Sequence, residues 1–157
     1  MKSYEPCLCG DPECGKCFPQ ERETDCDGRT DTDRILRDAV NRLVEFCHSQ
    51  AVESGWWTDL KTGENLSGKR NVGEMLCLIH SEISEAMEGH RKGLKDDKLP
   101  HRSMFEVELA DAVIRIADLA GAHDLDLGGA LVEKLSYNRN RADHKPENRV
   151  KEGGKAY

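Results

Sequence analysis

The sequence predicts an all-α fold of four helices, and three observations carry that prediction. Apolar residues recur at three- and four-residue steps from Asp31 onward, strand signals are absent, and the helical stretches carry their own start and stop residues. Composition agrees: 34% charged, 37% hydrophobic and only 5% aromatic residues suit a helical protein better than a β-sandwich, which draws on Val, Ile, Tyr and Phe. A chain of 157 residues is long enough for one domain with a core and too short for two comfortable ones.

Residues 1–30 stand apart as a Cys-rich extension, also rich in Gly, Pro and acids, with no hydrophobic period. Seven cysteines is an odd number, so complete pairing within the chain is impossible. Four of them crowd into "CLCGDPECGKC" as Cys7, Cys9, Cys14 and Cys17. In a reducing compartment such a cluster reads as metal ligands, and four thiolates match tetrahedral Zn²⁺. The alternative is a flexible tail with unpaired thiols. A Cys₄ site leaves zinc no open position, so its role would be structural or one of docking a partner. Cys47 and Cys77 fall inside helical patterns and are expected to be buried apolar fillers.

The helical domain is expected over residues 31–145. Its first helix begins at Asp31, carries Ile35, Leu36, Ala39, Val40, Leu43 and Cys47 on one face, and stops near Gly55. The polar loop "WWTDLKTGENLSGKR" follows, opening on Trp56 and Trp57. Asn71, with Glu74 three residues later, opens the second helix, and Gly93 closes it after "HRK". Ser103 and Glu106 form a capping box for the third, which reaches Gly121. The fourth starts near Asp126 and carries "LGGALVEKLSYNRNR". Residues 146–157 form a polar tail, expected to be irregular.

The second and third helices carry the chemistry. At about 100° per residue, Glu82 falls inside the apolar arc of Leu78, Met75, Ala86 and Ile79. An unpaired carboxylate there is costly or takes a proton, so it needs a cation, a hydrogen-bond partner or water. The third helix is apolar over nearly its whole circumference except for one strip of Glu108, Asp111, Arg115 and Asp118. "EISE" supplies Glu82 and Glu85, and "ELAD" supplies Glu108 and Asp111, each pair one turn apart on one face. If the helices pack antiparallel, as their short connection favours, four carboxylates converge on one groove. A hard divalent cation relieves their repulsion, and Mg²⁺ takes oxygen ligands while keeping positions for water and phosphate. A di-iron site would want Glu-x-x-His pairs, and His80 and His90 stand at the wrong offsets.

On the fourth helix Lys134, Asn138 and Arg141 stand at i, i+4 and i+7, flanked by Tyr137. An ammonium and a forked guanidinium on one face can grip phosphate oxygens, although a basic helix end answering the macrodipole is the plainer explanation. Trp57, with Trp56, is a candidate to stack on a nucleobase; the alternative is that both cover the core.

The order E82-I-S-E85, 22 residues, E108-L-A-D111, then K134-L-S-Y-N138-R-N-R141 resembles the MazG-like all-α nucleoside triphosphate pyrophosphohydrolases. That superfamily includes dimeric dUTPases and phosphoribosyl-ATP pyrophosphohydrolases. The resemblance covers roughly Trp56 to Tyr157, including "RNVGEMLCLIHSEISEA" and "GGKAY", and leaves the Cys-rich extension out. It implies a four-helix bundle completed by oligomerisation, as a homodimer or homotetramer, and hydrolysis of a (d)NTP to (d)NMP and pyrophosphate. Glu82, Glu85, Glu108 and Asp111 would hold Mg²⁺, with Mn²⁺ an acceptable substitute. Lys134, Asn138 and Arg141 would hold the phosphate chain. Glu82 or Glu85 would orient or deprotonate the attacking water, and Glu82 is preferred because its desolvated position should tune its pKa most.

A net charge of −7 argues against nucleic acid as the main partner. No apolar run approaches a membrane span and the first residues lack the apolar stretch of a signal peptide, so a cytoplasmic protein is expected. Two other functions compete: a zinc-tethered helical interaction module without activity, and a pyrophosphohydrolase for another substrate, such as dUTP or a phosphoribosyl nucleotide.

Overall fold

The computed structural model describes residues 30–153. Four long helices, α1 (Asp31–Glu53), α2 (Val72–Lys92), α3 (Met104–Ala122) and α4 (Leu127–Asn140), are followed by a 3₁₀ turn (Ala142–His144) and a one-turn helix, α5 (Pro146–Arg149). Among the described residues there is no strand; extended pairing is limited to isolated bridges, Thr58 with Asn65 and Lys95 with Ser103. The fold is all-α.

Two expectations about the tail change. A fifth helix exists, and residues 146–149 are not irregular, because Pro146 supplies a preset φ at the first helical position. The Asn148 side chain donates to Ala142 O at 2.7 Å and ties the turn back to the segment before it. Cys7, Cys9, Cys14 and Cys17 lie outside the described residues, as do residues 154–157.

Local chemistry accounts for the helix ends. Asn71 Oδ1 accepts from the backbone N–H of Gly73 at 2.9 Å and of Glu74 at 3.4 Å, satisfying two donors that open α2. Gly93 ends the helix with φ 63°, a left-handed conformation that costs glycine little. Ser103 Oγ accepts from Glu106 N at 3.2 Å to cap α3, while the Glu106 carboxylate is taken by Arg102 at 2.5 Å.

The chain divides into two compact units. One spans Val40–Leu127 and holds most of α1 with α2 and α3; the other combines residues 30–39 with residues 128–153. In the first unit α2 and α3 form an antiparallel hairpin. Its closed end has Met104 N bonded to Leu94 O at 3.1 Å, and twelve residues before Leu94, Glu82 of α2 meets Arg115 of α3. A side chain on Gly89 would put its Cβ 2.9 Å from Met104 Cβ, so the bare backbone sets how closely the helices approach there. Val44 and Cys47 of α1 pack with Ala117 and Ala120 of α3, and Leu127 rests against them.

That core is built largely from small residues, and larger ones stay outside it. The sequence gives α3 an apolar circumference, yet Val113 and Ile114 are each 47% exposed. Cys47 is buried as expected, but Cys77 is exposed. Cys77 lies almost half a turn around α2 from the face that carries Met75, Glu82 and Ala86. Among the described residues no helix is long and apolar enough to cross a membrane.

Candidate metal centre and adjoining cavity

The α2–α3 hairpin brings Glu82 of α2 beside Glu108 and Asp111 of α3. One carboxylate oxygen from each lies within 4.8 Å of the others. Ligands on opposite sides of a Mg²⁺ stand about 4 Å apart, so small side-chain rotations would close the three on one ion. Glu82 and Glu108 are buried and Asp111 is half-buried. Their donor atoms are all oxygens, with no histidine or cysteine in the set, and that chemistry suits a hard cation.

Glu85 does not join this set. It is exposed, although its charge is close enough to raise the pKa of Glu108. The Glu-x-x-Glu spacing offsets the two side chains by about 60° around the helix, enough to take Glu85 off the face that meets α3.

The cation that Glu82 requires is Arg115, whose Nε donates to Glu82 Oε1 at 2.5 Å. Sequence reasoning placed Arg115 on the polar strip of α3 and gave it no role. The signal was its spacing, four residues after Asp111 and seven after Glu108, which keeps it on their face.

The pKa of Glu108 is pushed up to about 7. Burial contributes most, followed by a hydrogen bond with Glu82 and the negative charges of Glu85, Glu82 and Asp111. Periodicity cannot show that a guanidinium sits against Glu82 while Glu108 faces carboxylates. Burial and the charge of Glu82 also raise the pKa of Asp111, against the opposing pull of Arg115.

Beside the carboxylates lies a cavity of about 640 Å³, with Asp111, Arg115 and Asp118 on one wall and Gln50, Trp56, Arg70 and Met75 among its other lining residues. Asp118 anchors this wall. Its Oδ1 accepts from Trp57 Nε1 at 2.9 Å and lies 2.8 Å from His48 Nδ1. The His48 and Trp57 rings meet edge to face, with centroids 5.4 Å apart.

This network corrects the role expected of Trp57. It is 3% exposed, its indole N–H is used by Asp118, and the Arg70 guanidinium covers its ring at 5.3 Å. Trp57 is therefore a core residue, and the open aromatic face belongs to Trp56, 67% exposed on the cavity. His48 and Arg70 went unread in the sequence. His48 had a faint signal, one turn beyond Val44 on the buried side of α1.

Comparison of the chain with known protein families, curated proteins and solved structures gives no match.

The expected phosphate grip belongs to the other unit. Lys134 Nζ lies 4.8 Å from the centroid of the Tyr137 ring, and the Arg141 guanidinium 5.8 Å from it. Asn138 is half-buried on the same helix. Arg141, however, is not on the helix face that its spacing predicted. α4 ends at Asn140, and Arg141 adopts extended dihedrals ahead of the 3₁₀ turn. Both oxygens of Asp143 hold it, at 2.9 and 2.6 Å. An anion would have to compete with Asp143 for that fork.

Proposed function

We propose that the protein is a Mg²⁺-dependent nucleoside triphosphate pyrophosphohydrolase of the MazG-like kind, cleaving a (d)NTP to (d)NMP and pyrophosphate. One observation carries the reading: three carboxylates from two helices converge within 4.8 Å, and one of them, Asp111, lines a 640 Å³ cavity. Burial and mutual repulsion both oppose such a gathering, and a hard cation would relieve them more fully than Arg115 and the Glu108 proton do. Ligand cavities usually measure about 300–1,000 Å³, so the volume suits a nucleotide-sized ligand. The cavity also carries an exposed indole for a base and two guanidinium groups for phosphates.

In this proposal Glu82, Glu108 and Asp111 hold the metal, and Glu85 at the edge of the set orients outer-sphere water. Bound Mg²⁺ would supply neutralisation of the phosphates and a water of lowered pKa for attack at the α-phosphorus. Glu82 or Glu85 would orient that water. Mn²⁺ would substitute, because the donors are the same. Pairing of α3 faces in a homodimer or homotetramer would cover Val113, whose exposure supports that assembly.

The test is a panel of ribo- and deoxynucleoside triphosphates with Mg²⁺ or Mn²⁺, the products resolved by chromatography. Metal-dependent release of pyrophosphate and a monophosphate is expected. Release of orthophosphate, or no metal-dependent turnover of any nucleotide, refutes the reading; the latter favours a helical interaction module.

A further inference from the structure

Arg115 sits at the metal centre and belongs to none of the expected ligand sets. Its Nε is bonded to Glu82 Oε1 at 2.5 Å, yet the side chain is 44% exposed and lines the cavity that Asp111 also lines. Glu82, by contrast, is 7% exposed and faces an otherwise apolar arc, so this guanidinium is what compensates its charge. A divalent ion bound through Glu82 needs the same carboxylate. Two cations on one buried carboxylate repel each other strongly.

We infer that Arg115 is a built-in counter-cation that the metal displaces from Glu82, and that the freed guanidinium then binds phosphate oxygens of the ligand. This inference rests on the pyrophosphohydrolase reading. The exchange is physically available, because an unbranched arginine side chain can change rotamers while the backbone of α3 stays fixed. It also has a destination. The cavity wall presents Asp111 and Asp118, which repel an incoming polyphosphate unless a cation stands among them. Arg115 is one turn along α3 from Asp111, so a phosphate held at a metal on Asp111 lies within its reach. A guanidinium can bond two phosphate oxygens in one plane, whereas Lys offers a point charge. The same arginine would thus replace the metal when none is bound and assist it once substrate arrives.

The experiment uses Mn²⁺ alone, followed by electron paramagnetic resonance of the free ion, and inorganic pyrophosphate at saturating Mn²⁺, followed by calorimetry. Arg115→Gln should bind Mn²⁺ about tenfold more tightly, the usual influence of one neighbouring charge on a carboxylate site. It should bind pyrophosphate about tenfold more weakly. A merely structural arginine gives a different pattern, in which both affinities fall. Unchanged or weakened Mn²⁺ binding overturns the inference, as does unchanged pyrophosphate binding.

Arg115→Lys keeps the charge beside Glu82 and serves if the glutamine variant does not fold. Its Mn²⁺ affinity should stay within about twofold of wild type, and its pyrophosphate affinity should fall about fivefold for want of the fork. Tenfold tighter Mn²⁺ binding, or full pyrophosphate affinity, refutes the exchange. If the wild-type protein binds no Mn²⁺, the metal-centre reading itself fails; if it does and Arg115→Gln matches it, only the exchange fails.

Discussion

Replacing Glu108 by Gln should stabilise the metal-free protein at pH 8 and leave its stability at pH 4 nearly unchanged. Glu108 has a pKa of about 7 in the folded chain, against an ordinary 4.5. The folded state therefore holds this proton more tightly than the unfolded chain does. The stabilisation it brings is complete below about pH 4.5 and is lost as pH rises through about 7. A difference of about 2.5 pH units, at roughly 1.4 kcal/mol each, sets a ceiling of about 3.5 kcal/mol. Water at the mouth of the groove and the proton shared with Glu82 reduce the expected effect to about 2 kcal/mol.

Gln has the shape of the protonated acid, carries no charge at any pH and can donate an N–H to Glu82. At about 3 °C per kcal/mol for a chain of this size, Tm in chelator should rise by about 6 °C at pH 8. The assay is thermal unfolding by circular dichroism at pH 4, 6 and 8. Mg²⁺ should raise the Tm of the wild type at pH 8 and leave that of the variant unmoved. A variant no more stable than wild type at pH 8, or equally stabilised at pH 4, would show that Glu108 is not held among uncompensated carboxylates.

Three further outcomes are expected. Glu82→Gln should keep its helical circular dichroism spectrum and lose turnover at saturating Mg²⁺ by on the order of a hundredfold; near-normal turnover would remove Glu82 from the chemistry. Gly121→Ala should cost about 2 kcal/mol in urea unfolding, because the new Cβ would stand 2.5 Å from His48 Cβ and must push α1 from α3. Protein purified without chelator should carry about one zinc per chain, bound through Cys7, Cys9, Cys14 and Cys17. Well under half an equivalent, lost without structural change, would exclude the Cys₄ site.

Much of the site can be read from periodicity alone. Glu82 is conspicuous because a carboxylate in an apolar arc must be compensated, and Glu108, Asp111, Arg115 and Asp118 stand out as the one polar strip on an apolar helix. Three assignments could not be read this way. Trp56 and Trp57 are adjacent and chemically identical, and only the turn after α1 decides that Trp57 enters the core while Trp56 faces the cavity. Glu85 has the same spacing argument as Asp111, and the angle at which α2 meets α3 separates them. Arg141 fits a helix face that ends one residue before it.

The helices, their caps and the faces that must meet are legible in the chain alone, because those depend on neighbours within a few residues. So is the need of the α2 and α3 acids for compensation, since the cost of burying a charge follows from the residue and its face. Tertiary structure alone decided which groups supply that compensation. Arg115 answers Glu82, the proton-hungry carboxylate is Glu108, and Trp57 is spent on Asp118. Charge interactions depend on distances of a few ångströms between residues tens of positions apart, and no local pattern in the chain records those distances.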